Sequence, residues 1–179
     1  MNKDVKEILL TKEQIEGKVK ELGKKITADY SGLDLLVVVI LKGSMVFASD
    51  LIREIDLPVS IDFLAVSSYG NGTETAGKIT IKKDLGCSVE NRNLLIVEDV
   101  LDSGVTLSNL KELLESRNPA SVEICTLLNK PERRKVEVNP RYSGFDIPDE
   151  FVIGYGLDYD EKYRNLPYVG VLKREVYEK

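Results

Sequence analysis

An apolar run from Leu35 to Leu41 constrains the fold of this chain more than any other feature. Every residue in it is leucine, valine or isoleucine, and no polar position alternates with them. A strand with one solvated face shows such alternation, whereas a continuous run is typical of a strand buried on both faces of a parallel sheet. We therefore expect an α/β protein in which helices flank a mainly parallel central sheet.

Predicted helices and strands alternate along the rest of the chain, as this architecture requires. A helix is predicted over 11–30, where apolar residues recur at spacings of three and four and Thr11 and Gln14 form a capping-box pattern. The other predicted helices span about 45–53 and 104–116, and the other predicted strands span 61–66, 79–83, 93–99, 121–128 and 151–155. Ligands bind at the carboxyl ends of the strands in such sheets, which points to the loops that begin near Lys42, Ser67, Asp99 and Lys130.

The chain has 179 residues and contains no histidine, which narrows the chemistry it can perform. Ser-His-Asp and Cys-His catalysis are excluded within one chain, so acid–base work falls to Asp, Glu, Lys or Tyr. A metal site would have oxygen ligands, which favours Mg²⁺ or Mn²⁺. The net charge of −5 provides no general field for binding nucleic acid.

The sequence shows no targeting or disulfide pattern. Cys87 and Cys125 lie in β-like runs without CxxC spacing, so we interpret them as small apolar residues of a reducing compartment. The first residues lack the apolar stretch of a signal peptide, and the longest apolar run is too short to cross a bilayer. We expect a cytoplasmic protein of one domain that binds neither membranes nor nucleic acid.

The strongest functional signal is the segment 94–114, which has the pattern of a strand, a short polar loop and an amphipathic helix. The strand ends on the acid pair Glu98 and Asp99, and the loop is Asp102-Ser103-Gly104-Val105-Thr106. Free backbone N–H groups at a helix N-terminus, with hydroxyls and a glycine beside them, form an anion site. Two adjacent carboxylates can bind vicinal sugar hydroxyls or a hydrated Mg²⁺. The segment therefore predicts a sugar-phosphate site.

A helix-capping role for Asp102 and Ser103 is the alternative for this loop, since such caps are common. The adjacent acid pair and Thr106 favour the sugar-phosphate site instead. Moreover, the segment 95–107 as a whole resembles the ribose-phosphate signature of type I phosphoribosyltransferases.

Four further segments resemble successive motifs of the hypoxanthine (hypoxanthine-guanine) phosphoribosyltransferases within that family. They occur in family order and, with a similar stretch over 8–32, cover nearly the whole chain: Leu41-Lys42-Gly43, Ser67-Ser68-Tyr69-Gly70, Leu128-Asn129-Lys130-Pro131-Glu132-Arg133-Arg134 and Phe151-Val152-Ile153-Gly154-Tyr155-Gly156-Leu157-Asp158-Tyr159. The last of these, together with Lys130, makes the resemblance specific for 6-oxopurines. It implies the type I phosphoribosyltransferase fold, with a core over about 33–150 and a small hood from about 1–32 and 151–179.

The resemblance assigns residues to the donor half of the site. It implies that 5-phosphoribose is bound by Glu98, Asp99, Asp102, Ser103, Gly104, Val105 and Thr106, and diphosphate by Lys42, Gly43 and Arg164. Asp102 matches the general acid/base near purine N7, and a carboxylate within hydrogen-bond reach suits that task. Mg²⁺ is the implied cofactor, with Glu98, Asp99 and Asp158 as its carboxylates. Ser103 stands where the family often has threonine, and the hydroxyl is kept.

The resemblance also assigns the base half. Lys130 matches the lysine that donates to the purine 6-oxo group, Phe151 the aromatic that stacks on the purine, and Val152 a residue whose backbone meets the base edge. Asp158 follows in the same purine-binding segment. From the residues alone, the strand core is the favoured interpretation of Phe151 and Val152, since aromatic residues and valine are enriched in strands. We interpret the cations over 133–135 as an ordinary solvated turn.

Ser68 and Tyr69 match the Ser-Tyr pair at the start of the family's flap. The stretch 67–78 contains three glycines and fits neither a helix nor a strand. A flap could close over the reacting centre and exclude water, and simple disorder is the alternative.

The resemblance implies an Mg²⁺-dependent, reversible transfer of 5-phosphoribose from 5-phospho-α-ribosyl 1-diphosphate (PRPP) to hypoxanthine, and also to guanine. The products are IMP or GMP and diphosphate. It also implies a homodimer or homotetramer. Two alternatives stay open: a xanthine-preferring enzyme of the same superfamily, and a non-catalytic regulator that binds nucleotide and RNA through a basic face. The net acidity and the retained Asp102 count against the second.

Overall fold

The computed structural model of the chain describes residues 3–68 and 79–178. In chain order its elements are β1 (Val5–Leu10), α1 (Lys12–Asp29), β2 (Leu35–Leu41), α2 (Met45–Arg53), β3 (Ser60–Ser68), β4 (Ile79–Lys83), β5 (Asn93–Leu101), α3 (Val105–Glu115), β6 (Ser121–Asn129), a 3₁₀ turn (Pro131–Arg133), β7 (Tyr142–Asp146), β8 (Val152–Ile153), β9 (Val169–Leu172) and α4 (Arg174–Tyr177). None of the helices in these described ranges is long and apolar enough to cross a membrane.

Six strands form the large sheet in the order β4-β3-β2-β5-β6-β7. Every neighbouring pair is parallel except β3 with β4. In the middle of the sheet, alternate residues of β2 pack on opposite faces: Leu35, Val37 and Val39 on one, Leu36, Val38 and Ile40 on the other. The first face is covered by α1 and α2, and the second by α3. The predicted fold class is confirmed, including the strand buried on both faces.

Helix α1 begins where its capping pattern predicts. The Gln14 backbone N–H donates to Thr11 Oγ1 over 3.3 Å, and the Thr11 N–H donates to Gln14 Oε1 over 2.8 Å. The two bonds satisfy donors that would otherwise lack partners at the helix start. The apolar stripe of α1 is then buried against the large sheet.

The two ends of the described chain meet in a second, three-stranded antiparallel sheet with the order β1-β9-β8. Val5, Ile153 and Leu172 form its small apolar cluster. Helix α1, in contrast, packs against α2 and β7 of the large sheet. The division into a core and a hood stays a prediction. Of the segment 1–32 that it assigns to the hood, β1 lies in the small sheet and α1 on the large one.

The predicted strand 151–155 is shorter in the structure, where β8 covers only Val152–Ile153. Gly154 and Tyr155 follow with φ of +94° and +50°, so the backbone leaves the extended region directly after Ile153. The interpretation of Cys87 as an apolar residue in a strand is wrong, because Cys87 is exposed in the loop after β4. Cys125 is buried in β6 as expected.

The architecture gathers the candidate loops at one edge. Since β2, β3, β5 and β6 are mutually parallel, their carboxyl ends lie along the same side of the large sheet. Lys42 follows β2, the acid pair lies near the end of β5, and Lys130 follows β6. Segments far apart in the sequence thus converge on one cleft.

Candidate active site

The loop between β5 and α3 has the geometry of an anion site. Gly104 has φ of +81° and is the N-cap residue of α3, without a side-chain capping bond. A side chain is disfavoured at this φ, which explains the glycine. The nearest hydroxyl contact is long, with the Val105 N–H donating to Ser103 Oγ over 3.4 Å. The first turn of α3 therefore presents backbone N–H groups that a phosphate can bind.

A cavity of about 250 Å³ opens in front of this loop. Its lining combines apolar side chains of β2 and β3 with Glu98 of the acid pair, the end of β5 and the loop: Ile40, Leu41, Val66, Glu98, Val100, Leu101, Asp102, Ser103, Gly104, Thr106 and Leu107. We call it the phosphate cavity. It brings together most of the residues that the resemblance assigned to 5-phosphoribose.

Glu98 and Asp99 are neighbouring carboxylates with little access to water. Burial and the charge of Asp99 raise the pKa of the Glu98 carboxyl well above its ordinary value. Burial also raises the pKa of Asp99, against hydrogen bonds that lower it. Keeping both groups ionised in this position is unfavourable without a compensating partner. Oxygen ligands of this kind suit a hydrated Mg²⁺ or sugar hydroxyls, so the pair fits the implied metal.

Gly43 lies directly against the acid pair. A Cβ at this position would be 1.7 Å from Asp99 Oδ2, so the loop can approach the carboxylate only as glycine. On the other side, a Cβ on Gly156 would be 2.1 Å from the Gly43 carbonyl oxygen, and Gly156 has φ of +103°. The loop after β2 is thereby packed between the end of β5 and the segment after β8.

The predicted diphosphate-binding cations, Lys42 and Arg164, meet at one carboxylate. Lys42 Nζ lies 3.0 Å and Arg164 Nη2 lies 3.5 Å from Glu161 Oε2. Arg164 also donates to the Gly156 carbonyl over 2.8 Å and pairs with Asp158 Oδ1 at 2.8 Å. The hydrogen bond from Lys42, followed by the nearby cations, lowers the pKa of Glu161. Glu161 was not among the predicted site residues. Its own carboxylate lies beside the two cations where the diphosphate is expected.

A second cavity of about 470 Å³ lies beside the first and is called the base cavity here. It is lined by Val100, Asp102, Lys130, Arg133, Asp149, Glu150, Phe151, Val152, Leu157, Asp158 and Tyr177. The set includes all four residues that the resemblance assigned to the purine.

Lys130 and Phe151 occupy the base cavity in different ways. Lys130 is buried, and its Nζ donates to the Glu150 carbonyl over 2.8 Å, which places the ammonium group beside the segment that carries Phe151. Phe151 is 38% exposed, so part of its ring is accessible from the cavity that it lines. Its ring stacks on Tyr177 at 4.9 Å and meets Tyr159 edge-on at 5.7 Å. Tyr177 belongs to α4, and no sequence pattern singled it out.

Asp102 and Val100 line both cavities. Asp102 is therefore the carboxylate at the junction between the expected ribose phosphate and the expected base. A proton-handling group for a reaction that joins the two must lie at such a junction.

The turn after β6 carries two contacts that the sequence analysis missed. Arg133 Nε donates to Asp102 Oδ1 over 2.6 Å, and Arg134 Nη1 donates to the Asp102 carbonyl over 2.7 Å. The interpretation of these cations as an ordinary solvated turn is therefore incomplete: Arg133 is still 47% exposed, but both arginines contact Asp102. In the sequence, only their closeness to Lys130 points to these arginines. Their contact with Asp102 depends on how the turn after β6 packs against the loop after β5, which a local pattern does not show.

The remaining predicted residues are placed as follows. Asp158 lies in the base cavity, paired with Arg164, and it is not grouped with the acid pair. Within the residues that the structure describes, no cluster of three or more Asp, Glu or Cys residues is arranged to hold a metal alone. Ser68 is the last residue of β3, and Tyr69 and the rest of the predicted flap lie outside the described residues.

Comparison with known proteins finds similar sequences and structures over nearly the whole chain. The family model described as phosphoribosyl transferase domain matches residues 5–160. A hypoxanthine-guanine phosphoribosyltransferase of Staphylococcus aureus strain Mu50 is 58% identical over 177 residues, covering 99% of both chains. One from Staphylococcus epidermidis is 56% identical over 179 residues and 100% of both chains. A crystal structure of a hypoxanthine phosphoribosyltransferase from Staphylococcus aureus superposes with a TM-score of 0.95 at 57% identity, covering 98% of this chain and 96% of the other.

Proposed function

The chain belongs to the phosphoribosyl transferase family, and from that premise we propose how its residues divide the work of the reaction. It is a purine-salvage enzyme that transfers 5-phosphoribose from PRPP to a 6-oxopurine, hypoxanthine or guanine, and releases diphosphate. The shared position of Asp102 in both cavities is the observation that carries the assignment of roles.

The donor is bound in the phosphate cavity and beside it. The backbone N–H groups at the start of α3 and the hydroxyls of Ser103 and Thr106 bind the 5′-phosphate. Lys42, Gly43 and Arg164 bind the diphosphate, and the guanidinium of Arg164 matches its planar oxygens. Binding energy from these groups places the ribose C1′ beside the base cavity.

The family uses Mg²⁺. In this chain we assign Glu98 and Asp99 to the metal or to the ribose hydroxyls, and Asp158 to a second ion at the diphosphate. When bound, Mg²⁺ neutralises the charge that develops on the leaving diphosphate.

The purine is bound in the base cavity. Phe151 stacks on the ring, Lys130 donates to the 6-oxo group and the backbone of Val152 lies along the base edge. N9 then attacks C1′, the bond from C1′ to the diphosphate oxygen breaks, and the proton on N7 passes to the Asp102 carboxylate. The flap that begins at Ser68 and Tyr69 excludes water from this centre. We also expect a homodimer or homotetramer in the cytoplasm.

Replacing Asp102 with asparagine tests this division directly. We expect Asp102→Asn to lower kcat by about 10²–10⁴-fold, the usual contribution of a general acid or base. The affinity for PRPP, measured by titration calorimetry with Mg²⁺, should stay close to that of the native enzyme. Asp56→Asn, which changes an exposed aspartate before β3, is the matched control. Unchanged turnover in Asp102→Asn would show that Asp102 has only a structural role in the loop.

A further inference from the structure

A single arginine connects the two walls of the base cavity. Arg133, the last residue of the 3₁₀ turn, donates from Nε to Asp102 Oδ1 over 2.6 Å. Its Nη1 donates to the two carboxylate oxygens of Asp149 over 3.3 and 3.2 Å. Asp149 lies two residues before Phe151. Arg133 therefore links the loop that carries the proton-handling carboxylate to the segment that carries the stacking ring.

The turn that carries Arg133 is hydrogen-bonded, on both sides of Arg133, to the end of β5 and the loop between β5 and α3. The Lys130 N–H donates to the Leu101 carbonyl and the Lys135 N–H donates to the Ser103 carbonyl, each over 2.9 Å. Between them, Arg134 donates to the Asp102 carbonyl over 2.7 Å. The three acceptors are the carbonyls of the consecutive residues 101–103, so the turn is held along this whole stretch of the loop. The backbone around Arg133 is thus fixed relative to Asp102, which favours a persistent contact between the two side chains.

Among the described residues, several charged groups surround the Asp102 side chain, and Arg133 is the cation in contact with its carboxylate. Glu98 lies across the phosphate cavity, Lys130, Asp149, Glu150 and Asp158 line the base cavity, and Arg134 lies behind the loop. Of the other two cations, Lys130 donates to the Glu150 carbonyl and Arg134 to a backbone carbonyl. The hydrogen bonds to Asp102 and then Asp149 raise the pKa of Arg133, so its guanidinium stays charged.

The contact is open to solvent in the empty site. The side chains of Arg133 and Asp102 are 47% and 40% exposed, and an ion pair at such a position contributes little to folding stability. A purine in the base cavity would displace water from around the pair, and the interaction strengthens as water is excluded. Its effect is therefore expected in the enzyme–substrate complex and hardly at all in the stability of the fold.

We propose that Arg133 is a positioning residue for phosphoribosyl transfer, which holds the Asp102 carboxylate through Oδ1 so that Oδ2 receives the N7 proton of the purine. The inference rests on the proposed role of Asp102. Arg133 itself takes no proton and touches no reacting atom. It acts by fixing one oxygen of a two-oxygen acceptor, and a small displacement of such a group costs much of its rate advantage.

Arg133→Ala tests the proposal, with Lys135→Ala as the matched control for removing an exposed cation from the same turn. We expect Arg133→Ala to lower kcat by about tenfold, a fraction of the about 10²–10⁴-fold that proton transfer contributes. The KM for PRPP should not change, Arg133→Lys should keep part of the lost rate, and millimolar guanidinium should restore part of it in Arg133→Ala. Lys135→Ala should match the native enzyme. An unchanged kcat in Arg133→Ala, or a higher kcat with a lower KM for hypoxanthine, would overturn the proposal, the latter because it would show that Arg133 obstructs the base.

The double variant Arg133→Ala/Asp102→Asn separates this inference from the assignment on which it rests. If Arg133 acts through Asp102, the double variant should be no slower than Asp102→Asn alone, because residues that act as a unit are not additive. Losses that multiply would overturn the positioning role while leaving Asp102 as the proton acceptor. If Asp102→Asn itself turns over at the native rate, the proposed function of Asp102 has failed, and the positioning role fails with it.

Discussion

At the scale of single residues, the site is built from side chains of opposite charge that pair with one another in the absence of substrate. Arg133 pairs with Asp102, Arg164 pairs with Asp158, and Glu161 lies between the two cations assigned to diphosphate. Such an arrangement avoids isolated charges in the empty cleft. The Arg133–Asp102 pair is expected to persist in the complex. At the diphosphate site, in contrast, the diphosphate of PRPP is expected to replace Glu161 as the partner of Lys42 and Arg164, so changing Glu161 should alter donor binding.

Glu161 is the residue for which this exchange is easiest to measure. Glu161→Gln removes the carboxylate charge that Lys42 and Arg164 share, so it no longer competes with the diphosphate of PRPP for these two cations, while Arg164 keeps its pair with Asp158. We expect the KM for PRPP to fall by about two- to fivefold, a small effect because the pair with Lys42 is exposed and screened by water. The change should shrink as the salt concentration rises, since ions screen exposed charges.

Asp160→Asn is the control for Glu161→Gln. Asp160 is the adjacent carboxylate and pairs with Lys162 at 3.1 Å, a cation that takes no part in the proposed site. Steady-state kinetics with varied PRPP should show no change in this variant. A KM for PRPP that rises in Glu161→Gln would contradict the account and would mean that Glu161 helps to hold the two cations in place for the donor.

At the scale of secondary-structure elements, the short helix α4 completes the base cavity. Its last residue, Tyr177, stacks on Phe151 with the two rings inclined by 23°. An aromatic pair of this kind contributes about 0.5–1.5 kcal/mol beyond the area it buries. We expect Tyr177→Ala to raise the KM for hypoxanthine by about two- to tenfold, because Phe151 loses the ring that holds it. The KM for PRPP should stay unchanged.

Tyr177→Phe keeps the ring and removes only the hydroxyl, so its kinetics should match the native enzyme. Glu178→Ala, at the exposed residue that follows, controls for any general disturbance of the C-terminal helix. Tighter binding of hypoxanthine by Tyr177→Ala would contradict the supporting role. It would instead show that Tyr177 occupies the face of Phe151 that the purine needs.

The elements themselves differed in how well their sequences predicted them. Strand β2 and helix α1 carry strong periodic signals, and both were predicted to within one residue at each end. Strand β7 lies at the edge of the large sheet, and Tyr142 is its one buried residue. Its sequence Tyr-Ser-Gly-Phe-Asp therefore shows no clear alternation of apolar and polar residues. Strands β1 and β9 stabilise each other from opposite ends of the chain, a pairing that no local pattern reveals.

At the scale of the whole molecule, the candidate site followed from topology and resemblance together. Parallel strands bring Lys42, the acid pair and Lys130 to one edge, and that much follows from the pattern of apolar runs. The base half depends on β8 and α4, whose positions are set by the small sheet and not by the order of the large one. Arg133, Glu161 and Tyr177 were missed because each makes its contact with a residue distant in the sequence: Asp102, Lys42 and Phe151, respectively.

The central claim is that the phosphate cavity binds PRPP, the base cavity binds a 6-oxopurine, and the two substrates react where the cavities meet. It is tested most directly by initial rates of the purified enzyme with PRPP and hypoxanthine, guanine or xanthine, with Mg²⁺ and after removal of Mg²⁺ by EDTA. We predict formation of IMP and GMP with release of diphosphate, loss of both activities in EDTA and their recovery when Mg²⁺ is restored. Turnover of xanthine alone would favour the xanthine-preferring alternative. No turnover of either hypoxanthine or guanine in the presence of Mg²⁺ would contradict the account.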